Sequence, residues 1–150
     1  MKNIYILLLT LICLPVSSQS KNNDLDLIKI CIQNYFDGYI ERDIVKLNNA
    51  FDTENGTMKV PVNINGKITA YENKYFKDLM PQWGSRDKLP EAVLNNCALH
   101  ILNIDIDNSK IATAKISMKV DDITYIDILS LQKINDNWKI TNKMYYVSTN

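Results

Sequence analysis

Apolar residues follow a helical period early in the chain and a period of two further along. From Asp24 to about Glu41, apolar and aromatic side chains fall on one stripe of a helix: Leu25, Ile28, Cys31, Ile32, Tyr35 and Tyr39. The pattern breaks at Arg42-Asp43, and a second short helical segment runs from Ile44 to Phe51. The two segments predict a pair of helices that face a common core.

From Thr57 the alternation of apolar and polar residues predicts strands. Asn65-Gly66 is a strong hairpin turn signal, and it leads into a second strand from Lys67 to Tyr71. The stretch from Glu72 to Met80 predicts a third, short helix closed by Pro81, and Trp83 falls in the loop that follows.

Four long strands are predicted for the rest of the chain. The first, Asn96 to Asp105, places alternate residues on one apolar face: Ala98, His100, Leu102, Ile104 and Ile106. The second is Lys110 to Val120, with the small residues Ala112 and Ala114 facing inward. The last two form a hairpin from Tyr125 to Tyr146.

The turn of this last hairpin decides which way its one charged core candidate, Asp127, faces. A two-residue turn at Asp136-Asn137 sets Leu131, Leu129 and Asp127 opposite Asn142, Met144 and Tyr146, and Lys143 then points away from the core. That face is the more apolar one, so we expect Asp127 to point inward. A three-residue loop would turn it outward.

This order of elements predicts an α+β fold, a cone-shaped curved antiparallel sheet packed against the helix pair and the third helix. The small side chains of Ala112 and Ala114 leave room for a cavity between sheet and helices. The remaining outer face is partly apolar, with Leu99, Ile101, Ile126, Ile128 and Tyr145, and such a face is typical of association. We therefore expect a homodimer.

The first residues have the layout of a secretory signal peptide: Lys2, an apolar run from Ile4 to Leu14, then small residues. The run is shorter than the roughly 20 residues that span a bilayer. Residues 1–20 are the predicted signal peptide, cleaved near Ser18 or Ser20, and residues 21–150 form a single domain. We expect a secreted or periplasmic protein with no membrane attachment after cleavage.

Composition narrows the remaining classes. The 17 basic and 17 acidic residues balance without runs of either sign, so no nucleic-acid surface is expected. One histidine and no cysteine pair at ligand spacing predict no metal site, and no cofactor is indicated. Cys31 and Cys97 are either two separate thiols or a disulfide, which the secretory compartment would permit.

The stretches YFDGYIERDIVKLNNAF, in and after the first helix, and YIDILSLQKINDNWKITNK, near the end, carry a resemblance to a known family. The chain resembles the nuclear transport factor 2-like superfamily, and within it the putative lumazine-binding family of secreted or periplasmic bacterial proteins. The resemblance covers the whole chain after the signal peptide. It implies the cone-shaped fold, which is also called cystatin-like, and often a dimer formed through the sheet.

A second resemblance concerns the same two stretches. They are similar to the first helix and a late strand of ketosteroid isomerases, where a tyrosine and a protonated aspartate stabilise an oxyanion, a case that is well known. Tyr35 and Asp127 stand at the matching positions. The general base of those enzymes does not carry over, because Val60 stands in its place. The resemblance therefore implies that binding is retained while that reaction is lost.

The candidate ligand-binding residues follow from these patterns. Asp127 is costly among apolar strand residues unless it is paired or protonated. Tyr35 and Tyr39 are one helical turn apart on the buried stripe. Trp83 either covers the cavity or packs in its loop. His100 lies on an apolar strand face. Asn142 is a hydrogen-bond partner either for Asp127 or for a ligand.

Three functions are compatible with these residues. The first is a small-molecule binding domain for an apolar or aromatic ligand, with Tyr35 and Asp127 at the polar end of its cavity. The second is an isomerase, dehydratase or cyclase that uses Asp127 or His100 as general acid or base. The third is a protein-interaction module that dimerises through its sheet.

Overall fold

The structure is a computed structural model that describes the backbone of residues 16–148 and the side chains of residues 23–148. Of the predicted signal peptide, residues 1–20, the first 15 lie outside the described residues and the last five belong to the first helix, so its cleavage stays a prediction. The first helix, α1 (Val16–Glu41), begins earlier than the predicted Asp24.

The second helix, α2 (Ile44–Ala50), packs on the end of α1. The side chain of Asp43 accepts hydrogen bonds from the backbone N–H groups of Val45 and Lys46, which caps its first turn. A Cβ atom at Gly38 would lie 2.8 Å from the backbone nitrogen of Leu47, so the absence of a side chain lets the helices approach. The predicted helix pair is confirmed.

A hairpin follows, made of β1 (Thr57–Ile64) and β2 (Lys67–Tyr75). Both residues of its turn, Asn65 and Gly66, have positive φ, as that turn requires. The strand β1 also pairs in parallel with the last strand of the chain, but only over its first three residues.

The helix after this hairpin is displaced from its prediction. The region from Glu72 to Tyr75 belongs to β2, and α3 (Phe76–Gly84) begins only at Phe76. Pro81 lies inside this helix instead of ending it, and Trp83 is a buried helical residue. A four-residue helix, α4 (Glu91–Leu94), was not predicted.

The predicted four-stranded meander is confirmed as β3 (Ala98–Asp107), β4 (Ile111–Val120), β5 (Ile123–Ile134) and β6 (Asn137–Ser148). The six strands form one sheet in the order β2-β1-β6-β5-β4-β3. The sheet is curled, and the helices cover its inner face. The α+β fold expected from the sequence is thus confirmed.

Two β-bulges change which side chains face inward. In β3 the pairing shifts between Ile101 and Asn103, so Leu99 and Ile101 lie on the inner face of the sheet and His100 turns out, contrary to the prediction. Leu99 packs against the core, whereas Ile101, on this edge strand, stays 36% exposed. In the last hairpin the pairing shifts between Ser130 and Leu131. A bulge adds one residue to a strand, so every side chain beyond it lies on the opposite face from the one that unbroken alternation predicts.

Because of the second bulge, the cross-strand partners of Asp127 differ from the predicted ones. The turn uses Asn135-Asp136, both with positive φ, instead of Asp136-Asn137. Beyond the bulge, Asp127 lies opposite Tyr145 and Leu129 lies opposite Lys143. Lys143 and Tyr145 therefore face inward, and the predicted outward position of both was wrong.

The core fills the space between the helices and the inner face of the sheet. Its fully buried members include Ile28, Ile32, Leu47, Phe51, Phe76, Ile116, Leu129 and Ile140. Both cysteines in the described part of the chain, Cys31 and Cys97, are free thiols. Burial raises the pKa of the Cys31 thiol to about 12, which keeps it protonated and unreactive.

Candidate functional site

Three buried polar side chains meet beneath the helices. Tyr35, on α1, donates its hydroxyl proton to Oδ2 of Asp127, on β5, at 2.9 Å. The ammonium group of Lys143, on β6, donates to the same Oδ2 atom at 2.8 Å and to the Tyr35 oxygen at 2.7 Å. Asp127 and Tyr35 are wholly buried and Lys143 is 4% exposed, so the three groups form a closed triangle in the core.

Burial and charge shift the protonation of this triangle. Burial raises the pKa of Tyr35 well above its ordinary value, and the neighbouring Asp127 charge raises it further, so Tyr35 stays a neutral phenol. Burial lowers the pKa of Lys143, and the attraction of Asp127 partly offsets that effect. The Tyr35 hydroxyl therefore keeps its proton and donates it in the hydrogen bond to the Asp127 carboxylate.

The second carboxylate oxygen of Asp127 has no hydrogen-bond partner among the described residues. This atom, Oδ1, is fully buried. A buried acceptor without a donor is uncommon and destabilising. Tyr35 and Lys143 therefore provide the whole hydrogen-bond support of the Asp127 carboxylate in the described part of the structure.

A pocket of about 210 Å³ opens above the triangle. Its lining combines aromatic and methionine side chains with two cationic ones, and consists of Tyr35, Tyr39, Met58, Trp83, Arg86, Met118, Tyr125, Lys143 and Tyr145. Larger depressions of about 390 Å³, 340 Å³ and 330 Å³ lie elsewhere, but the described residues that line them include no buried charged side chain. We therefore regard the smaller pocket as the candidate site.

Aromatic rings form the walls of this pocket. The Trp83 ring lies nearly parallel to that of Tyr35, at 26° and 6.3 Å between centroids, and meets Tyr39 edge-on at 5.2 Å. On the sheet side, Tyr125 and Tyr145 are 6.0 Å apart. The ammonium group of Lys143 lies 4.9 Å from the Tyr145 ring centroid and 5.1 Å from that of Tyr35, a favourable cation–π distance.

Arginine side chains surround Tyr39 near the pocket. Arg86 donates to the Tyr39 hydroxyl at 2.9 Å, and its guanidinium carbon lies 5.6 Å from the Tyr39 ring centroid. Arg42 donates to the Tyr39 carbonyl oxygen. Arg86 thus adds a second positive charge to the pocket lining, at its exposed side.

The predicted site residues divide into three groups. Tyr35, Tyr39 and Trp83 line the pocket. Asp127 is buried as expected, but it lies behind Lys143 and Tyr35 and is not among the lining residues. His100 and Asn142 are elsewhere, and the predicted position of each in the cavity was wrong.

The pairing registers of β3 and β6 explain why His100 and Asn142 lie outside the pocket. The bulge in β3 leaves His100 exposed and paired with Ser117, on the sheet face opposite to Asp127, so the two cannot form an acid–base pair. Asn142 donates to the side chain and the carbonyl of Thr57 on β1 and makes no bond to Asp127.

Lys143 was not predicted as a site residue. A signal for it existed, because a buried aspartate requires a compensating partner and Lys143 is a cation on the adjacent strand. The bulge that turns it inward carries no comparable signal. Val60, which replaces the base of the isomerases, is half-buried and packs against the core.

Comparison with solved structures identifies the class of fold. A nuclear transport factor 2-like protein of Shewanella baltica superposes with a TM-score of 0.69 at 19% identity, covering 86% of this chain and 97% of that one. A second such protein, from Methylobacillus flagellatus, gives 0.66 at 21% identity, with 85% and 94% covered. A cystatin-like fold protein of Burkholderia xenovorans gives 0.62 at 12% identity, with 87% and 96% covered. The chain has the nuclear transport factor 2-like fold.

The sequence assigns the chain to one family with this fold. The model of the family described as "Putative lumazine-binding" matches residues 23–146, which is most of the chain. The protein belongs to that family. A comparison with curated proteins finds no match.

Proposed function

We propose that this protein is a secreted or periplasmic domain that binds one small aromatic molecule in the pocket above Lys143. The observation that carries the proposal is the composition of that pocket. Five of its lining residues are aromatic, and a buried ammonium group lies at its floor. Pockets that combine apolar walls with a few fixed polar groups are the usual sites for small molecules.

The size of the pocket limits the ligand. Drug-sized compounds occupy pockets of about 300 Å³ or more, whereas this one measures about 210 Å³. A compound with a single ring or with two fused rings fits this volume. The family name points in the same direction, since lumazine is a bicyclic heteroaromatic compound.

Export is supported by the sequence of the first 20 residues. Within the residues that the structure describes, no helix combines the length and the apolar character needed to cross a bilayer. N-terminal sequencing of the protein from its native compartment tests export: we expect a start near Gln19 or Lys21, and an intact Met1 in the cytoplasm would contradict it.

Native mass spectrometry of the purified protein tests binding. We expect one small molecule per chain, released on denaturation. Met58→Trp fills the pocket and should abolish this extra mass, because Met58 lines the pocket and is 6% exposed. Met144→Trp is the matched control, since Met144 is 47% exposed on the outer sheet face, and it should retain the ligand. Equal retention by both variants would contradict a ligand in this pocket.

A second proposal, self-association through the outer sheet face, is supported by a specific cluster. Ile126 pairs with Tyr146, and Ile128 pairs with Met144, on the adjacent strands β5 and β6. Three of these four side chains are more than one-third exposed. The formal net charge is zero for the full sequence and −1 without residues 1–20, which contain Lys2, so repulsion between two copies would be small. We call these four residues the outer cluster.

A further inference from the structure

The charged side chains that line the pocket are both cationic. They are Lys143, at the buried floor, and Arg86, on the exposed side, and the described lining residues include no acid. Asp127 forms an ion pair with Lys143 from behind, and Asp127 is not part of the pocket lining. The charged groups that a ligand would contact are therefore both cationic.

Hydrogen-bond donors at the floor are limited. The hydroxyl proton of Tyr35 is already donated to Asp127, so Tyr35 offers a ligand no donor. An ammonium group has three N–H donors, and Lys143 uses two of them, toward Asp127 and Tyr35. The described residues provide no acceptor for the third. That N–H is the donor that the floor of the pocket offers to a bound molecule.

A ligand cannot replace Asp127 as the partner of Lys143. The Oδ1 atom of Asp127 has no donor among the described residues, and Oδ2 depends on Lys143 and Tyr35. Removal of Lys143 from the pair would leave a buried carboxylate with one hydrogen bond, which is costly. A ligand oxygen must therefore add to the existing pair through the third N–H.

An anionic oxygen benefits more from this position than a neutral one. Both kinds of oxygen would accept a charge-assisted hydrogen bond from the Lys143 ammonium group. The anionic oxygen gains in addition the Coulomb attraction of Lys143 and Arg86, the two cations of the lining. Low exposure strengthens the effect, because water screens the charge of Lys143, a residue that is 4% exposed, less than it screens a surface lysine. The nearly parallel rings of Trp83 and Tyr35 on one wall favour a flat molecule.

We infer that the pocket selects planar ring compounds that carry one anionic oxygen, and that Lys143 recognises that oxygen. The inference rests on the proposed function, because it assumes that the pocket binds a small molecule, and it adds the chemical class of that molecule. Arg86 is the second cation that the ligand meets.

Calorimetric titration with two probes of equal ring size tests this inference. The probes are 2-naphthoate, which is anionic, and 2-naphthalenemethanol, which is neutral. We expect the wild-type protein, freed of bound compounds, to bind 2-naphthoate about tenfold more tightly. Lys143→Met should remove that preference, whereas Lys115→Met, on the outer sheet face, should leave it unchanged.

The possible outcomes separate the inference from the proposed function. Equal affinity for the two probes, or a preference that survives Lys143→Met, overturns the inference and leaves binding in the pocket intact. Failure of both probes to bind the wild-type protein contradicts the inference together with the proposed ligand class.

A second variant guards against misfolding. Lys143→Met leaves Asp127 buried without its counter-charge, which destabilises the protein. The double variant Lys143→Met/Asp127→Asn removes both charges and keeps similar volumes. If the single variant does not fold, the titrations are made with the double variant instead. The double variant should bind both probes with equal affinity. A retained tenfold preference for 2-naphthoate in that variant would overturn the inference.

Discussion

Lys143 and Asp127 form an ion pair in the core, and each is stabilised chiefly by the other. Their side chains are 5% and 0% exposed, and 2.8 Å separates the ammonium nitrogen from Oδ2. Such a pair contributes little net stability compared with apolar residues, but removal of one member leaves an uncompensated charge. The pair therefore explains why an aspartate and a lysine are tolerated in this core.

A double-mutant cycle tests the coupling. Asp127→Asn and Lys143→Met should each lower the free energy of unfolding by about 3 kcal/mol or more, because each leaves its partner unpaired. The double variant should lose clearly less than the sum of the two. Urea unfolding followed by circular dichroism measures all four proteins. Additive losses would show that the two charges are independent, contrary to the structure.

At this scale the sequence predicted one member of the pair and misplaced the other. Asp127 is conspicuous because a charge interrupts an apolar strand. Tyr35 is identified by its place on the apolar stripe of α1. Lys143 cannot be recognised from the sequence in this way, because lysine is common on exposed strand faces. Only the pairing register shows that its side chain faces inward.

At the scale of elements, two β-bulges account for the errors in the predicted site. Alternation along a strand is a reliable guide to its faces only while the pairing is continuous. The bulge beside Leu102 exposes His100, and the bulge at Thr141 exchanges Lys143 with Asn142. Neither position carries a glycine or proline that would mark it. The Asn65-Gly66 turn, in contrast, carries its own signal and was predicted correctly.

The long helix α1 is fixed to the far end of the sheet by another buried acid. Asp24 is 1% exposed, and its Oδ1 atom accepts hydrogen bonds from Lys133 and from the Trp138 indole, both at 2.9 Å. Burial opposes ionisation of Asp24, but hydrogen bonds from Lys133, Trp138 and Ser109 outweigh it and lower the pKa. This contact holds α1 against β5 and β6.

Asp24→Asn should therefore destabilise the fold by about 2 kcal/mol at neutral pH. The folded-state pKa of Asp24 lies below its ordinary value of 3.8. The contribution of this carboxylate is thus complete above that value and is lost as the pH falls through the folded-state pKa. The difference in unfolding free energy between wild type and Asp24→Asn should shrink as the pH is lowered below about 4.

Asp26→Asn is the matched control for this experiment. Asp26 lies on the same helix, its side chain is 72% exposed, and its ion pair with Lys29 is a surface contact of 3.4 Å. We expect a change within about 0.5 kcal/mol at any pH. A loss for Asp26→Asn equal to that for Asp24→Asn would contradict the specific role of the Asp24 contact.

At the scale of the whole molecule, the outer cluster predicts association of two copies. A dimer was expected from the sequence, and Ile126 and Ile128 do lie on the outer face. Leu99, Ile101 and Tyr145 were wrongly assigned to that face, because the two bulges place them on the inner face of the sheet. Light scattering coupled to size-exclusion chromatography should give twice the mass of one chain. Ile128→Lys, within the outer cluster, should convert the protein to a monomer.

Ile30→Lys provides the comparison. Ile30 is 57% exposed on α1, which covers the inner face of the sheet, and its substitution should leave a dimer formed through the outer face intact. A monomeric wild-type protein at high concentration would exclude this face as a stable interface. Dissociation by both variants would point to a general loss of structure, which circular dichroism would detect.

The overall fold was predictable because its signals are long and redundant. A helical stripe, a hairpin turn and four alternating strands all indicate the same architecture, and one error in any of them does not change it. The pocket is less predictable, because it depends on single side chains and on a register that one inserted residue reverses.

The most direct test of the central claim is a crystal structure of the protein in complex with 2-naphthoate. We predict that the ring lies in the pocket against Trp83, and that one carboxylate oxygen lies within hydrogen-bond distance of the Lys143 ammonium nitrogen. The Lys143–Asp127 bond should remain in place. A probe bound at another depression of the surface, or in the pocket with its carboxylate turned away from Lys143, would contradict the account.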